Sequence, residues 1–223
     1  MVIRWLPESL PSASVFTSEK QSADGWRDLG IRLWPLLVLA LSAQFGLAMF
    51  EATFALHARE MLEYGPASVG VIFIVCASVM AVFQGGAVGY LAPRMSAAHQ
   101  IAVGFLLMGI DLAVLLFARS TTLILIIVAL LALGMALITP NLSALASKGQ
   151  KQQIGAALGL RNAANSLGQA AVAGVGGLLF ALQMTAAYSI TGAILVAIGI
   201  ASGRALQQGN VRRPGNQIRG RRS

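Results

Sequence analysis

Leu123–Leu145 reads LILIIVALLALGMALITPNLSAL, 23 residues without a single charge. At about 1.5 Å per residue such a helix reaches roughly 35 Å, enough to cross the ~30 Å hydrocarbon core of a bilayer. Lipid offers no partner for backbone N–H and C=O groups, so a lone spanning segment of this kind has to satisfy them internally, as a helix does. Reading outward from this stretch, the same pattern recurs on both sides. Apolar spans are expected at about Leu33–Leu56, Ala67–Leu91, Ile101–Ala118, Leu123–Leu145, Ile154–Leu182 and Thr185–Ala205. The breaks HAREMLEYGP, APRMSAAHQ, ARSTT, SKGQKQQ and QMT are short and polar or turn-forming. The sequence therefore predicts an all-α membrane protein of six transmembrane helices, with consecutive helices close in space.

Composition supports a lipid-facing surface. Hydrophobic residues make up 57% of the 223 and charged residues only 11%, whereas soluble domains carry about 25% charged residues. The net charge of +8 does not point to nucleic acid, because the basic residues sit in breaks and tails. Thirteen of them fall on one side of the predicted topology, among them Arg27, Arg32, Arg94, Lys148, Lys151 and Arg204, and two, Arg59 and Arg119, on the other. Lys and Arg favour the cytoplasmic side, which places both termini there. Three regions are expected: a cytoplasmic tail over residues 1–30, a transmembrane bundle over 31–206 and a basic, disordered tail over 207–223. The basic tail is a topology anchor or a contact for anionic lipid. The N-terminal residues lack the long apolar core of a signal peptide. Cys76 is the one cysteine, so no intrachain disulfide forms, and it reads as a small buried or lipid-facing residue.

Ionisable groups inside a span are costly, so each is a functional candidate. Glu51 lies late in the first span, with Gln44 two turns earlier on nearly the same face. A carboxyl group in a low-dielectric cavity can load and release a proton. The alternative is an interfacial acid paired with His57 or Arg59. Asp111 falls near the middle of the third span, either as a transport group or as a structural hydrogen-bonding one. Arg161 lies two turns into the fifth span, where it either snorkels to the headgroups or joins Asn162, Asn165 and Gln169 along a wet groove or helix interface. Gln84 and Asn141 read as interhelical hydrogen-bonding groups. Pro140 is expected to loosen the fourth span. The pairs Gly85/Gly89 and Gly155/Gly159 have the spacing that lets helices approach closely. His57 and His99 fall in breaks on opposite sides and cannot share a metal. No soluble-enzyme constellation is visible, and no metal or cofactor is implied.

The break Gly89-Tyr90-Leu91-Ala92-Pro93-Arg94 resembles the loop motif G-x-L-a-D-r-x-G-r-k of the major facilitator superfamily, in the weaker form of its second half. Gly89, Leu91, Ala92 and Arg94 match; Pro93 replaces the acidic residue, Ser96 the later glycine, and Ala97 and Ala98 the basic pair. Leu6-Pro7-Glu8-Ser9 resembles the end of that family's sixth helix. Leu133-Gly134-Met135-Ala136 through Pro140-Asn141 resembles its tenth, and Gly155 to Phe180 its eleventh. Phe50-Glu51-Ala52-Thr53-Phe54 resembles an FExxF element of multidrug and tetracycline-type drug:proton antiporters. The resemblance implies that the six spans are one half of the fold, two inverted three-helix repeats. The first and fourth spans would then line a cavity, the second and fifth flank it, and the third and sixth face lipid. It raises Glu51 and Gln44 as cavity residues, followed by Asn165 and Gln169, and lowers Asp111. The expected function is the C-terminal half of a proton-coupled exporter of small, lipophilic solutes in a bacterial inner membrane. It would work with a separately encoded N-terminal half or, less favoured, as a homodimer. The start at LPES, where a central loop would begin, suggests a split or truncated gene. The alternative is therefore a six-helix fragment or assembly protein that does not transport.

Overall fold

The structure is a computed structural model that describes residues 23–87, 95–148, 153–176, 178 and 184–211. The loop-motif residues Gly89, Leu91 and Arg94, the Leu6–Ser9 stretch and the arginine-rich residues from 212 onward lie outside the described residues. Six helices make up the described chain: α1 (Ala23–Leu62), α2 (Pro66–Val82), α3 (Ala97–Leu115), α4 (Thr121–Ser147), α5 (Ile154–Ala171) and α6 (Met184–Val211).

Local chemistry sets several helix ends. Pro66 opens α2 in its first turn, where a missing N–H costs nothing, behind an extended Gly65. Ser96 and Ser120 cap α3 and α4, accepting from the N–H groups of His99 and Leu123 at 3.2 and 3.3 Å. Glu63 turns the chain between α1 and α2 with φ 54°, a left-handed conformation that costs a non-glycine residue about 1–2 kcal/mol. Both α2 and α5 run directly into a five-residue π-helical stretch, Phe83–Ala87 and Val172–Gly176.

Two boundaries differ from the sequence expectation. α1 begins at Ala23, inside the segment expected to be a tail, and α6 continues to Val211, inside the segment expected to be disordered. Polar residues flanking an apolar span do not stop a helix when neither Gly–Pro turn chemistry nor a cap interrupts them. α1 and α4 likewise run through Pro35 and Pro140 without ending.

Four helices are long and apolar enough to cross a membrane: Arg27–Glu60, Ala97–Leu115, Thr121–Ser147 and Thr185–Arg204. The other two expected spans fall short for different reasons. α2 is apolar but has only 17 α-helical residues before its π stretch. α5 has 18 residues but carries Arg161, Asn162, Asn165 and Gln169.

The main core joins Phe50 and Phe54 of α1 to Phe105, Met108 and Leu112 of α3 and to Ile124, Leu131 and Ile138 of α4. Phe73 of α2 packs on Phe50 and Phe54 with ring centroids 6.1 and 6.0 Å away. Contacts between helices follow a rule. α3 packs on α6, α3 on α4 and α1 on α6, α1 on α5 and α2 on α4. Exchanging α1 with α4, α2 with α5 and α3 with α6 turns this set of pairs into itself. The sequence carries the same relation: Gly134 follows Gly46, and Asn141 follows Thr53, by 88 residues.

Close approach is concentrated at three helix crossings. A Cβ on Gly104 would lie 2.6 Å from the Gly134 carbonyl oxygen, and one on Gly109 2.7 Å from that of Gly192. A Cβ on Gly168 would collide with the Leu41 carbonyl. Gly155 and Gly159, by contrast, have nothing within 4 Å of an added Cβ, so among the described residues this pair does not pack α5 against another helix.

Candidate functional site

The register of α1 against α5 organises the candidate residues. Gly168 meets Leu41 and Phe45, which brings Gln44 and Gln169 to one level along the two helices. Asn165 lies one turn below Gln169. Gln44 and Asn165 are half-buried, whereas Gln169 is exposed. Glu51 stands two turns beyond Gln44, about 10 Å along the axis, and is exposed. Its neighbours in the sequence, Phe50 and Phe54, are fully buried, so the helix turns the two rings to the core and the carboxylate away from it. No ion pair to Glu51 forms among the described residues, which leaves the pairing with His57 or Arg59 unsupported.

Arg161 is buried, 9% exposed, toward the start of α5. Its guanidinium spans two helices. Nη1 donates to Asn162 Oδ1 and Nη2 to the Thr139 carbonyl of α4, each at 3.4 Å, while Nε has no partner. The group is thus held against α4 rather than extended along α5. Asn162 is exposed and Thr139 half-buried, so the guanidinium borders the open face of α5. Arg161, the Gln44–Asn165–Gln169 level and Glu51 form a polar string along α1 and α5, not a single point.

Asp111 lies in α3, four residues before its last residue, Leu115. It is 5% exposed, and its Oδ2 has no hydrogen-bond partner. Burial agrees with a group facing neighbouring helices, and its helix separates it from the α1–α5 string.

The structure also shows polar residues that the sequence reading missed. His57 is no break residue: it lies within α1, 5% exposed, edge-on to Tyr188 of α6 with ring centroids 5.9 Å apart. His57 Nδ1, Tyr188 Oη and Thr191 Oγ1 are all buried without a partner. Thr53, one turn earlier, spends its hydroxyl on the Met49 carbonyl at 2.6 Å. The charged sequence Ala58-Arg59-Glu60 disguised His57 as the start of a loop, and tyrosine and threonine carry too little polarity to interrupt an apolar span. Gln100 is a second missed residue. Its Oε1 accepts from Asn141 Nδ2 at 2.9 Å, and its Nε2 donates to the Met95 carbonyl at 3.0 Å. Asn141 thereby joins α4 to α3, as expected of an interhelical group.

At the α1–α2 turn a cavity of about 820 Å³ is lined by Arg59, Glu63, Tyr64 and Phe73, among others. The Tyr64 and Thr121 hydroxyls bond at 2.5 Å beside it, fixing this turn to the start of α4.

The exposed faces of the helices differ in kind. α3 and α6 show Ile110, Val114, Ile190, Ile194 and Ile200. α5 shows mainly Gly155, Gly159, Asn162, Ala163, Ser166 and Gln169, with Ile154 and Leu167 the exposed large apolar residues among them. Apolar spans, several of them bundled, with one face of small and polar residues describe an integral multi-pass membrane protein. No curated protein matches the chain in sequence. The family model of the Major Facilitator Superfamily matches residues 1–173. With more than half of the chain matched and an all-helical bundle among the described residues, the chain belongs to the Major Facilitator Superfamily of membrane transporters.

Proposed function

We propose that the chain is the C-terminal six-helix half of a proton-coupled secondary exporter of small, lipophilic solutes, working by alternating access against an N-terminal half. The observation that carries this reading is the contrast between faces. A mainly small, polar face on α5 and an exposed Glu51 on α1 are poorly suited to lipid, whereas α3 and α6 present isoleucine and valine. The first and last groups of residues fit a cavity-facing side and a lipid-facing side. The pair exchange of α1–α3 with α4–α6 supports two three-helix repeats. Because each helix lies three positions before its counterpart, an odd number of crossings, the repeats would be inverted, as in transporters that work by rocking of one bundle against another. In this reading α2 and α5 are also spans, their π stretches completing the length, and both termini face the cytoplasm of a bacterial inner membrane.

Glu51 is the proton-coupling candidate, Gln44, Asn165 and Gln169 the polar lining of the solute path. The test is proton-driven dye efflux from inverted vesicles holding this chain alone, or with a co-expressed N-terminal half. Efflux only with the partner supports the split exporter, and Glu51→Gln is then expected to abolish it with insertion unchanged. Efflux by the chain alone would favour a homodimer. A folded, inserted chain without efflux in either setting would favour a non-transporting fragment or assembly protein.

A further inference from the structure

Among the described residues, Arg161 is the one strongly basic group that is buried among the helices. Among the described residues no carboxylate pairs with it, its two hydrogen bonds are both long at 3.4 Å, and Nε is unpartnered. The Thr139 carbonyl is shared, since Ser143 Oγ donates to it at 3.0 Å. A guanidinium has five N–H donors in a planar fork, and this one uses two. Burying an uncompensated cation is expensive, and the cost is recovered when an anion arrives. The fork borders exposed Asn162, so an anion has a route to it from the open face of α5.

We infer that Arg161, steadied by the Thr139 carbonyl and Asn162, is a receptor for an oxyanion carried on an apolar body, a carboxylate or phosphate monoester that reaches it from the exposed Asn162 side of α5. This rests on the exporter reading where the occupant is a solute. The same chemistry describes an anionic phospholipid entering from the leaflet, and the experiment separates the two sources. It specifies the lipophilic solute as an amphiphilic anion, which favours Arg161 as a solute-contacting residue over a snorkelling one.

The full chain in phosphatidylcholine nanodiscs is titrated with radiolabelled decanoate, with decyl phosphate and decylammonium as competitors. Saturable decanoate binding, displaced by decyl phosphate and not by decylammonium, is expected. Arg161→Gln should weaken it about tenfold or more, and Arg161→Lys less, because charge survives but the fork does not. Asn162→Asp covers the case in which Arg161→Gln does not fold. It sets a carboxylate where the amide oxygen now sits, so it should raise the Tm and weaken decanoate about tenfold by filling the fork. Phosphatidylglycerol retention, read by native mass spectrometry, tests the lipid source. Retention that depends on Arg161 without decanoate binding keeps the receptor and assigns it to lipid. Decanoate affinity within about twofold of wild type in both folded variants, equal binding of decylammonium, or neither decanoate binding nor Arg161-dependent phosphatidylglycerol retention would overturn the inference. Failure of dye efflux with the partner half would remove the exporter reading and leave these binding results standing.

Discussion

Asn141 and Thr53 occupy corresponding places in α4 and α1 and solve the same problem differently. Each is buried and each donates to the carbonyl four residues back, Leu137 at 2.7 Å and Met49 at 2.6 Å. Asn141 has a further contact, the Gln100 amide on α3. Interhelical hydrogen bonds in membranes are worth about 0.6 kcal/mol on average and up to roughly 1.7. Gln100→Leu is therefore expected to cost about 1 kcal/mol in reversible unfolding from mixed micelles, since Asn141 keeps only its own-helix acceptor and Met95 loses a donor. Tyr188 presents the opposite case. Its ring is fully buried, and its hydroxyl, near Thr53, makes no well-formed hydrogen bond because the Thr53 hydroxyl donates to Met49; an unsatisfied buried polar group costs about 1–3 kcal/mol. Tyr188→Phe should accordingly leave the fold intact and raise its stability by about 1 kcal/mol. A loss of stability instead would mean that the hydroxyl is satisfied by water or solute in the membrane.

At the scale of the helix, the same substitution should have opposite results at different glycines. A methyl group on Gly109 would meet the backbone of Gly192 and Val196 at 2.7 and 2.8 Å. Backbone cannot move aside as a side chain can, so α3 and α6 would have to separate. Gly109→Ala is expected to lower stability by about 1–3 kcal/mol. Gly159 has open space around it, and alanine there should be neutral or stabilise by about 0.5–1 kcal/mol through helix propensity. Thermal unfolding of the two variants in one detergent makes the comparison. GxxxG spacing in the sequence pointed to Gly155 and Gly159, while the close crossings use Gly104, Gly109 and Gly168. Spacing says which residues share a helix face, but not which neighbour, if any, that face meets. The apolar runs themselves were legible, because a span has to be apolar over most of its length. The π stretches after Val82 and Ala171 were not, since they shift the backbone hydrogen-bond register without altering hydropathy. The end of α3 was not legible either: the apolar run continues to Ala118, while the helix ends at Leu115.

For the whole molecule, the six helices were readable in order but their partners were not. Short loops predict that consecutive helices are neighbours, but among the described residues α3–α4 is the one consecutive pair that packs extensively, while α1 packs on α5 and α3 on α6, across distances that no local pattern encodes. The polar string on α1 and α5 was largely visible as residues, because Glu51, Arg161 and the amides stand out in apolar spans. Its division into separate levels depended on the Gly168–Leu41 crossing. The two kinds of exposed face then make a prediction that the fold alone does not. If α5 borders a wet path between two bundles, water reaches Ser166, whereas Ile110 on α3, an exposed apolar residue, meets hydrocarbon. In a Cys76→Ser background, Ser166→Cys should react with a membrane-impermeant maleimide in vesicles and Ile110→Cys should not, since thiolate forms only where water reaches. Co-expression of an N-terminal half should then slow labelling at Ser166 at least several-fold by covering the α5 face. The Ile110 position serves as the internal control, because a partner that docks on the small, polar face leaves α3 facing lipid. Equal reactivity at the two positions would place both in lipid or both in water, and the assignment of α5 to the inner face of a two-bundle transporter would fail with it.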